Sequence, residues 1–334
     1  MANDPLKPIR ALGLCSGGLD SILSGLVLKD QGIDVTWICF ETPFFSAEKG
    51  RKASKTTGIP VIVHPIFPTY IKMLKDPPAG YGQYMNPCMD CHALMFKLAG
   101  EMMMTRGFDF LFSGEVLGQR PMSQTYPSLR YVAKHSGMDG YIVRPLSAKR
   151  LPESIPEKEG WVDREQLLGL SGRSRKPQIR LAAQYGITDY PAPAGGCLLT
   201  DKGYSNRLRD LFKHQAMHTE SELHLLKYGR HLRLNADTKV IVGRTQKENE
   251  AIEKFLDPIR DTVLKIEGYP GPTVVIPGGN ETKAVLNQAA AICAGYSKAP
   301  AHSLVDVCIT RPAGRHAVQV MPVSPKDVKT LLIL

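Results

Sequence analysis

Cys15-Ser16-Gly17-Gly18-Leu19-Asp20-Ser21 stands between the short apolar run Ala11–Cys15 and the helically spaced segment Ser21–Lys29. A buried strand, a two-glycine turn and a helix opening on hydroxyl and carboxylate side chains make the opening unit of a parallel sheet. Two glycines let the backbone approach an anion closely, and the first turn of a helix offers amide N–H groups and the positive end of its dipole. Ser16 and Ser21 can add hydroxyl donors. Asp20 would repel a phosphate unless Mg²⁺ bridged the two, so its presence implies that cation. The Gly-Lys-Ser/Thr ending of the Walker loop is missing. Simple helix capping is the competing reading of the string, and its position directly after the first buried strand weighs against that.

The pattern continues outward from this turn. Val35–Phe40, Pro60–His64, Phe108–Ser113 and Tyr141–Arg144 read as further buried strands, and Ala47–Thr57 and Ala93–Arg106 carry helical spacing. The expected fold class is α/β, a doubly wound parallel sheet whose ligands bind at the carboxyl ends of the strands. Lys149–Gly160, rich in Pro, Glu and Lys, reads as an exposed loop. Helical patterns return at Asp163–Leu170 and Lys176–Tyr185, and Tyr190–Gly196 breaks regular structure. Ser205–Phe212 and Ser221–Tyr228 read as helices. Beyond about Arg230 come strands at Leu232–Leu234, Lys239–Gly243, Thr273–Ile276, Val305–Thr310 and Ala317–Met321, with helices at Lys247–Leu256 and Thr282–Tyr296. These divide the chain into a catalytic domain over 1–190, a connecting segment over 191–230 and a smaller α+β domain over 231–334.

The chain has 334 residues, enough for two cores, and a formal charge of +10. Between Arg120 and Arg180 there are twelve Lys/Arg against six Asp/Glu, and from Lys202 to Arg233 seven against three. Such zones suit a polyanion, whose neutralised phosphates release counterions; a merely solubilising basic surface is the alternative. Arg173, Arg175 and Lys176, then Arg207 and Arg209, are the candidates for gripping RNA. There is no run of about 18 apolar residues, and Met1–Pro5 lacks the charged start and apolar core of a secretory signal, so a cytoplasmic protein is expected.

Of the seven cysteines, Cys15, Cys39, Cys293 and Cys308 lie in apolar segments and read as small buried hydrophobes. Asn86-Pro87-Cys88-Met89-Asp90-Cys91-His92 instead presents two thiols in a reverse turn before a helix, and Ala194-Gly195-Gly196-Cys197 offers a third after two glycines. Three thiolates suit an iron–sulfur cluster with one open iron. A persulfide carrier with a resolving partner is a second possibility, and zinc completed by His92 a third.

Ser16–Ser21 resembles the pyrophosphate loop of the adenine-nucleotide α-hydrolase superfamily, whose members split ATP between the α and β phosphates. Ser113-Gly114-Glu115-Val116-Leu117-Gly118-Gln119, Ser123-Gln124-Thr125 and Arg144-Pro145-Leu146 resemble the signature of tRNA 4-thiouridine synthetases. That resemblance implies ATP on the loop formed by Ser16, Gly17, Gly18, Asp20 and Ser21. It implies Gly114 and Gln119 beside nucleotide or substrate, and adenine read near Phe40. The Cys-x-x-Cys with one distant cysteine is similar to the cluster-dependent tRNA thiolases of the same superfamily. This implies a [4Fe–4S] cluster on Cys88, Cys91 and Cys197, and sulfide or a cysteine desulfurase as sulfur donor. The implied reaction adenylates a uridine carbonyl of tRNA and then inserts sulfur, with Asp20 and the three cysteines as catalytic groups. 4-Thiouridine is favoured as product, 2-thiouridine is the alternative, and a non-catalytic RNA-binding factor is a third reading. Unlike the 4-thiouridine synthetases, which carry an RNA-binding region before the loop, this chain places Ser16 close to its start.

His231–Ile241, Val242-Gly243-Arg244 through Asn249, Gly271–Ile276 and Ala289–Ser297 resemble the RNA-binding module of NFACT-type quality-control factors over most of residues 230–325. The resemblance implies Arg244 and Asn249 as RNA contacts.

Overall fold

Strands Arg10–Leu14 (β1), Asp34–Glu41 (β2), Val61–Pro65 (β3), Phe110–Ser113 (β4) and Ile142–Val143 (β5) pair in parallel in the order β3-β2-β1-β4-β5. The computed structural model describes residues 8–192, 197–279 and 281–334. The chain divides into two units, residues 1–197 and 198–334.

The first unit is the expected doubly wound sheet, with the strands close to where apolar runs predicted them. Its helices are Leu19–Lys29 (α1), Glu48–Thr57 (α2), Phe67–Lys75 (α3), Cys88–Arg106 (α4), Tyr126–His135 (α5), Ile155–Lys158 (α6) and Lys176–Gln184 (α7). Leu12, Trp37, Phe110 and Phe112 are wholly buried, as parallel strands covered on both faces must be. Gly13 is small because Phe112 fills its face: a Cβ there would lie 2.1 Å from the ring. The strand order reverses between β1 and β4, so the ligand crevice of this topology opens beyond Leu14 and Ser113.

Three expectations are corrected. Asp163–Leu170 is not a helix but a 3-10 turn over Arg164–Gln166. The rest of that segment is extended, with Leu168 N donating to Pro145 O and Leu170 N to Leu146 O. Lys149–Gly160 is not simply an exposed loop, because Ser154 and Glu157 form a capping box that starts α6 over a buried Pro156. The cysteine pair does not precede its helix: α4 begins at Cys88, so Cys88 and Cys91 share one face of its first turn. Helices α3 and α5 had no counterpart in the sequence reading. Pro193–Gly196, and with them the two glycines before Cys197, lie outside the described residues.

The second unit is a six-stranded antiparallel sheet. Its strands are Arg230–Arg233 (β6), Lys239–Val242 (β7), Thr262–Ile266 (β8), Val274–Ile276 (β9), Val305–Arg311 (β10) and Gly314–Val320 (β11), in the order β11-β10-β8-β9-β7-β6. Central β8 was not expected from sequence. Helices Lys202–His214 (α8), Glu220–Leu225 (α9), Gln246–Glu253 (α10) and Lys283–Gly295 (α11) complete it. Leu286, Ala290 and Cys293 of α11 pack on Val242, Leu264, Val274 and Val307. Leu225 and Ile252 form a smaller cluster with Ile241 and Val275, whose side chains alternate with those neighbours along β7 and β9. No helix among the described residues is long and apolar enough to cross a membrane.

Candidate active site

The chain leaves β1 at Cys15, whose N–H donates to Ile38 O at 2.9 Å. Gly17 then adopts φ +69°, and a Cβ there would fall 2.3 Å from the Lys49 carbonyl carbon, so only glycine fits the turn. Gly18 is the N-cap of α1 and supplies no side chain. The helix mouth therefore offers backbone amides without a competing cap. Gly18 N donates to Ser16 Oγ at 3.3 Å, and Ser21 Oγ donates to Gly18 O at 2.8 Å. Ser16 is exposed while Ser21 is buried and braces the turn. Cys15 lies beneath it, its sulfur accepting Gly17 N at 3.3 Å. All four cysteines assigned to the core are buried.

Across the crevice, Gly114 continues β4. A Cβ on Gly114 would sit 2.4 Å from the Asp20 carbonyl group, so the absent side chain lets the two segments abut. Gln119 Nε2 donates to Asp20 Oδ2 at 2.8 Å. Burial raises the Asp20 pKa against the pull of that bond and of the Arg175 and Arg120 charges. Phe40 is buried near the end of β2, its ring 6.1 Å from that of His64 in a T-shaped pair.

The sequence reading missed Glu115 as a functional residue. It is buried, and its Oε1 lies 2.9 Å from His92 Nδ1 while its Oε2 accepts Arg144 Nε at 2.9 Å and Ser113 Oγ at 3.1 Å. Burial alone would raise this carboxyl, but Arg144 and His92 outweigh it and hold the pKa at about 2. Glu115 thus ties the β4 edge of the crevice to α4, one residue from Cys91. The only sequence signal was its place in the Gly114–Gln119 string.

Cys88 accepts Asn86 Nδ2 at 2.9 Å. Cys91 faces the hydroxyl of the fully buried Tyr70; burial raises the Cys91 thiol, the tyrosine bond opposes this, and the charges of Cys197 and Cys88 add to the rise. Tyr70 is in turn pushed up by burial and then by Cys91, Cys197 and Cys88. The third cysteine therefore shares the neighbourhood of the other two. Among the described residues, however, no three His, Cys, Asp or Glu groups are gathered as a metal shell. The cysteine chemistry suits soft metal or sulfur, and the sulfur atoms would have to draw together around a metal.

The expected RNA contacts are dispersed. Arg173 and Lys176 are exposed, whereas Arg175 is half-buried. In the second unit Arg209 is exposed with Nη1 on Asn206 Oδ1, and Arg207 is half-buried with Nη1 on Gly229 O. Arg244 pairs with Glu248 one turn on. Asn249 turns inward, accepting Thr273 N on Oδ1 at 3.1 Å.

Comparison with known proteins bears on the second unit. Residues 229–332 match the NFACT protein RNA binding domain. The resemblance seen in the sequence of this NFACT-type module therefore holds, and its antiparallel sheet with α11 is the structural form of the match. No curated protein matches the chain. Among solved structures, the C-terminal part of the fibronectin/fibrinogen-binding protein of Streptococcus suis is 16% identical, with a TM-score of 0.28, over 48% of this chain and 79% of that one. A predicted subunit of tRNA methyltransferase from Methanocaldococcus jannaschii is 15% identical, with a TM-score of 0.35, over 53% and 76%. NMN synthetase from Francisella tularensis is 12% identical, with a TM-score of 0.27, over 57% and 91%.

Proposed function

We propose that the chain is an ATP-dependent tRNA sulfurtransferase that adenylates a uridine carbonyl and replaces its oxygen with sulfur, giving 4-thiouridine. One observation carries the reading. Segment Gly114–Gln119 reaches Asp20 of the glycine turn through Gln119 and, through Glu115, the His92 that follows Cys91. A nucleotide-handling turn and a sulfur-handling helix are thereby linked by a single strand end.

ATP would lie on Ser16, Gly17, Gly18 and Ser21, with Phe40 near the adenine, and Asp20 would hold the Mg²⁺ that neutralises its phosphates. The uracil oxygen attacks the α-phosphorus, forming one O–P bond as the bond to pyrophosphate breaks. Backbone amides at the mouth of α1 stabilise the departing charge. Sulfur then adds to the activated carbon and AMP leaves. Gly114 and Gln119 shape the pocket between these groups.

Cys88, Cys91 and Cys197 handle the sulfur, supplied as sulfide or by a cysteine desulfurase. A [4Fe–4S] cluster on these residues would supply an open iron for sulfide. Cys88 and Cys197 both act on Cys91, which suits a second reading. One cysteine takes sulfane sulfur from a cysteine desulfurase as a persulfide, and its outer sulfur attacks the activated carbon as AMP leaves. Another cysteine displaces the thiolated base, leaving a disulfide that an external thiol reduces, with 2-thiouridine as the alternative product. Arg173 and Lys176 in the first unit, Arg207 and Arg209 on α8 of the second unit and Arg244 in the NFACT-type module grip the tRNA in the cytoplasm. The target base must be unpaired or flipped to reach the crevice.

The deciding experiment is the modified-nucleoside profile of tRNA from cells with and without the gene. Loss of 4-thiouridine is expected, restored by the wild-type chain and not by Asp20→Asn. A profile identical in both strains removes the reading.

A further inference from the structure

Three side-chain atoms that are buried without a partner belong to one locality: Asp20 Oδ1, Gln178 Oε1 and Arg175 Nε. Asp20 opens α1, while the other two come from the start of α7, more than 150 residues later. A continuous relay joins them. Gln178 Nε2 donates to Gln119 Oε1 at 3.2 Å, and Gln119 Nε2 donates to Asp20 Oδ2 at 2.8 Å. Gln178 is 1% exposed, and its amide also lies close enough to Asp20 to support the carboxylate charge. Arg175, one turn before Gln178, is the stronger of the two positive charges acting on Asp20, ahead of Arg120.

The backbone holds this juxtaposition rigidly. Gly172 N donates to Leu117 O at 2.7 Å, and Leu117 forms a parallel bridge with Ser171. Gly118 and Gly172 both take positive φ, at +76° and +84°, and a Cβ on Gly118 would lie 3.4 Å from Gly172 N. The turn leading into α7 is thus stitched to the very segment that carries Gln119.

A buried guanidinium nitrogen seeks an anionic oxygen, whereas a carboxylate oxygen and an amide oxygen seek a cation. Together the three unpaired atoms describe a phosphate group with its divalent cation. We infer that Arg175 and Gln178 complete the pyrophosphate end of the nucleotide site, Arg175 binding a phosphate oxygen and Gln178 fixing Gln119 and Asp20 toward the cation. The inference rests on the nucleotide reading above. It withdraws Arg175 from the RNA-gripping group and leaves exposed Arg173 and Lys176 in it.

Calorimetric titration of the full chain with pyrophosphate and, separately, with AMP, each with Mg²⁺, tests this. Arg175→Met should weaken pyrophosphate binding by about 10- to 100-fold, the worth of hydrogen bonds to a charged group, and leave AMP binding intact. Arg175→Lys should recover part of the loss. Gln178→Leu should raise the Mg²⁺ concentration needed for half-maximal pyrophosphate binding. Arg180→Met, on the exposed side of α7, should change neither titration. Undiminished pyrophosphate binding by both Arg175 variants overturns the inference, as does a loss of RNA affinity with pyrophosphate binding retained. Wild-type protein that binds neither ATP nor pyrophosphate defeats the nucleotide reading itself, and the inference with it.

Discussion

Glu115 carries more of the site's order than its place in the sequence suggests. Its carboxylate is buried between Arg144 and His92, so its charge is sustained by those partners and not by water. Its pKa of about 2 lies below the ordinary carboxyl value. The pair therefore stabilises the fold above that ordinary range, and the contribution fades as pH falls through about 2. Arg144→Met removes the main partner, leaving burial to push the carboxyl upward. Unfolding in urea should then show a loss of roughly 3–5 kcal/mol at pH 8, where the buried carboxylate has lost its guanidinium, and a smaller loss at pH 5, where the raised carboxyl takes up a proton. An equal deficit at both pH values would mean that lost packing, and not the charge, explains the defect. None of this was legible from one sequence, because a charge pair spanning 29 residues leaves no periodic trace. The glycine turn was legible because strand, turn and helix are neighbours in the chain and each has its own local signature.

At the scale of elements, legibility followed burial. Strands β1, β2 and β4 are largely buried and edge strand β3 keeps a Val-Ile-Val run, so all four read as apolar runs and lay within about two residues of their expected limits. Strand β8 escaped because Thr262-Val263-Leu264-Lys265-Ile266 mixes buried and exposed positions and ends near a Gly-Tyr-Pro-Gly turn that reads as loop. Helical spacing alone starts α4 at Ala93, because a Cys-x-x-Cys pair suits a turn, yet side chains spaced i, i+3 also meet on a helix and α4 begins at Cys88. Asn249 of α10 is an RNA contact that the resemblance implies, and within the fold its Oδ1 accepts Thr273 N and lies 1.9 Å from where a Cβ on Gly243 would be. It therefore fixes α10 against the start of β9. Asn249→Ala should lower thermal and urea stability by about 1–2 kcal/mol and leave the RNA affinity of the folded protein unaltered. Weaker RNA binding at unchanged stability would return the side chain to the interface.

At the scale of the molecule, the chain carries a formal charge of +10 and an NFACT-type match at residues 229–332, so the basic residues proposed in each unit can be tested against the same RNA. If each unit grips separate phosphates of the same RNA, neutralising charges in one should not alter what the other contributes. Arg173→Gln with Lys176→Gln should make the slope of log K against log salt shallower by roughly 1.4 to 1.8, the release expected from two phosphate contacts. Arg209→Gln in the second unit should remove a further 0.7 to 0.9 or so, and the triple variant should show the sum. Filter binding of tRNA at several salt concentrations measures all three slopes. The contrast with Arg175 is the informative part: a residue serving pyrophosphate should leave the salt slope of RNA binding where it was. A slope that falls equally for Arg175→Met and Arg173→Gln would merge the two groups into one RNA-facing patch, and the division of the basic segment between nucleotide and RNA would be lost.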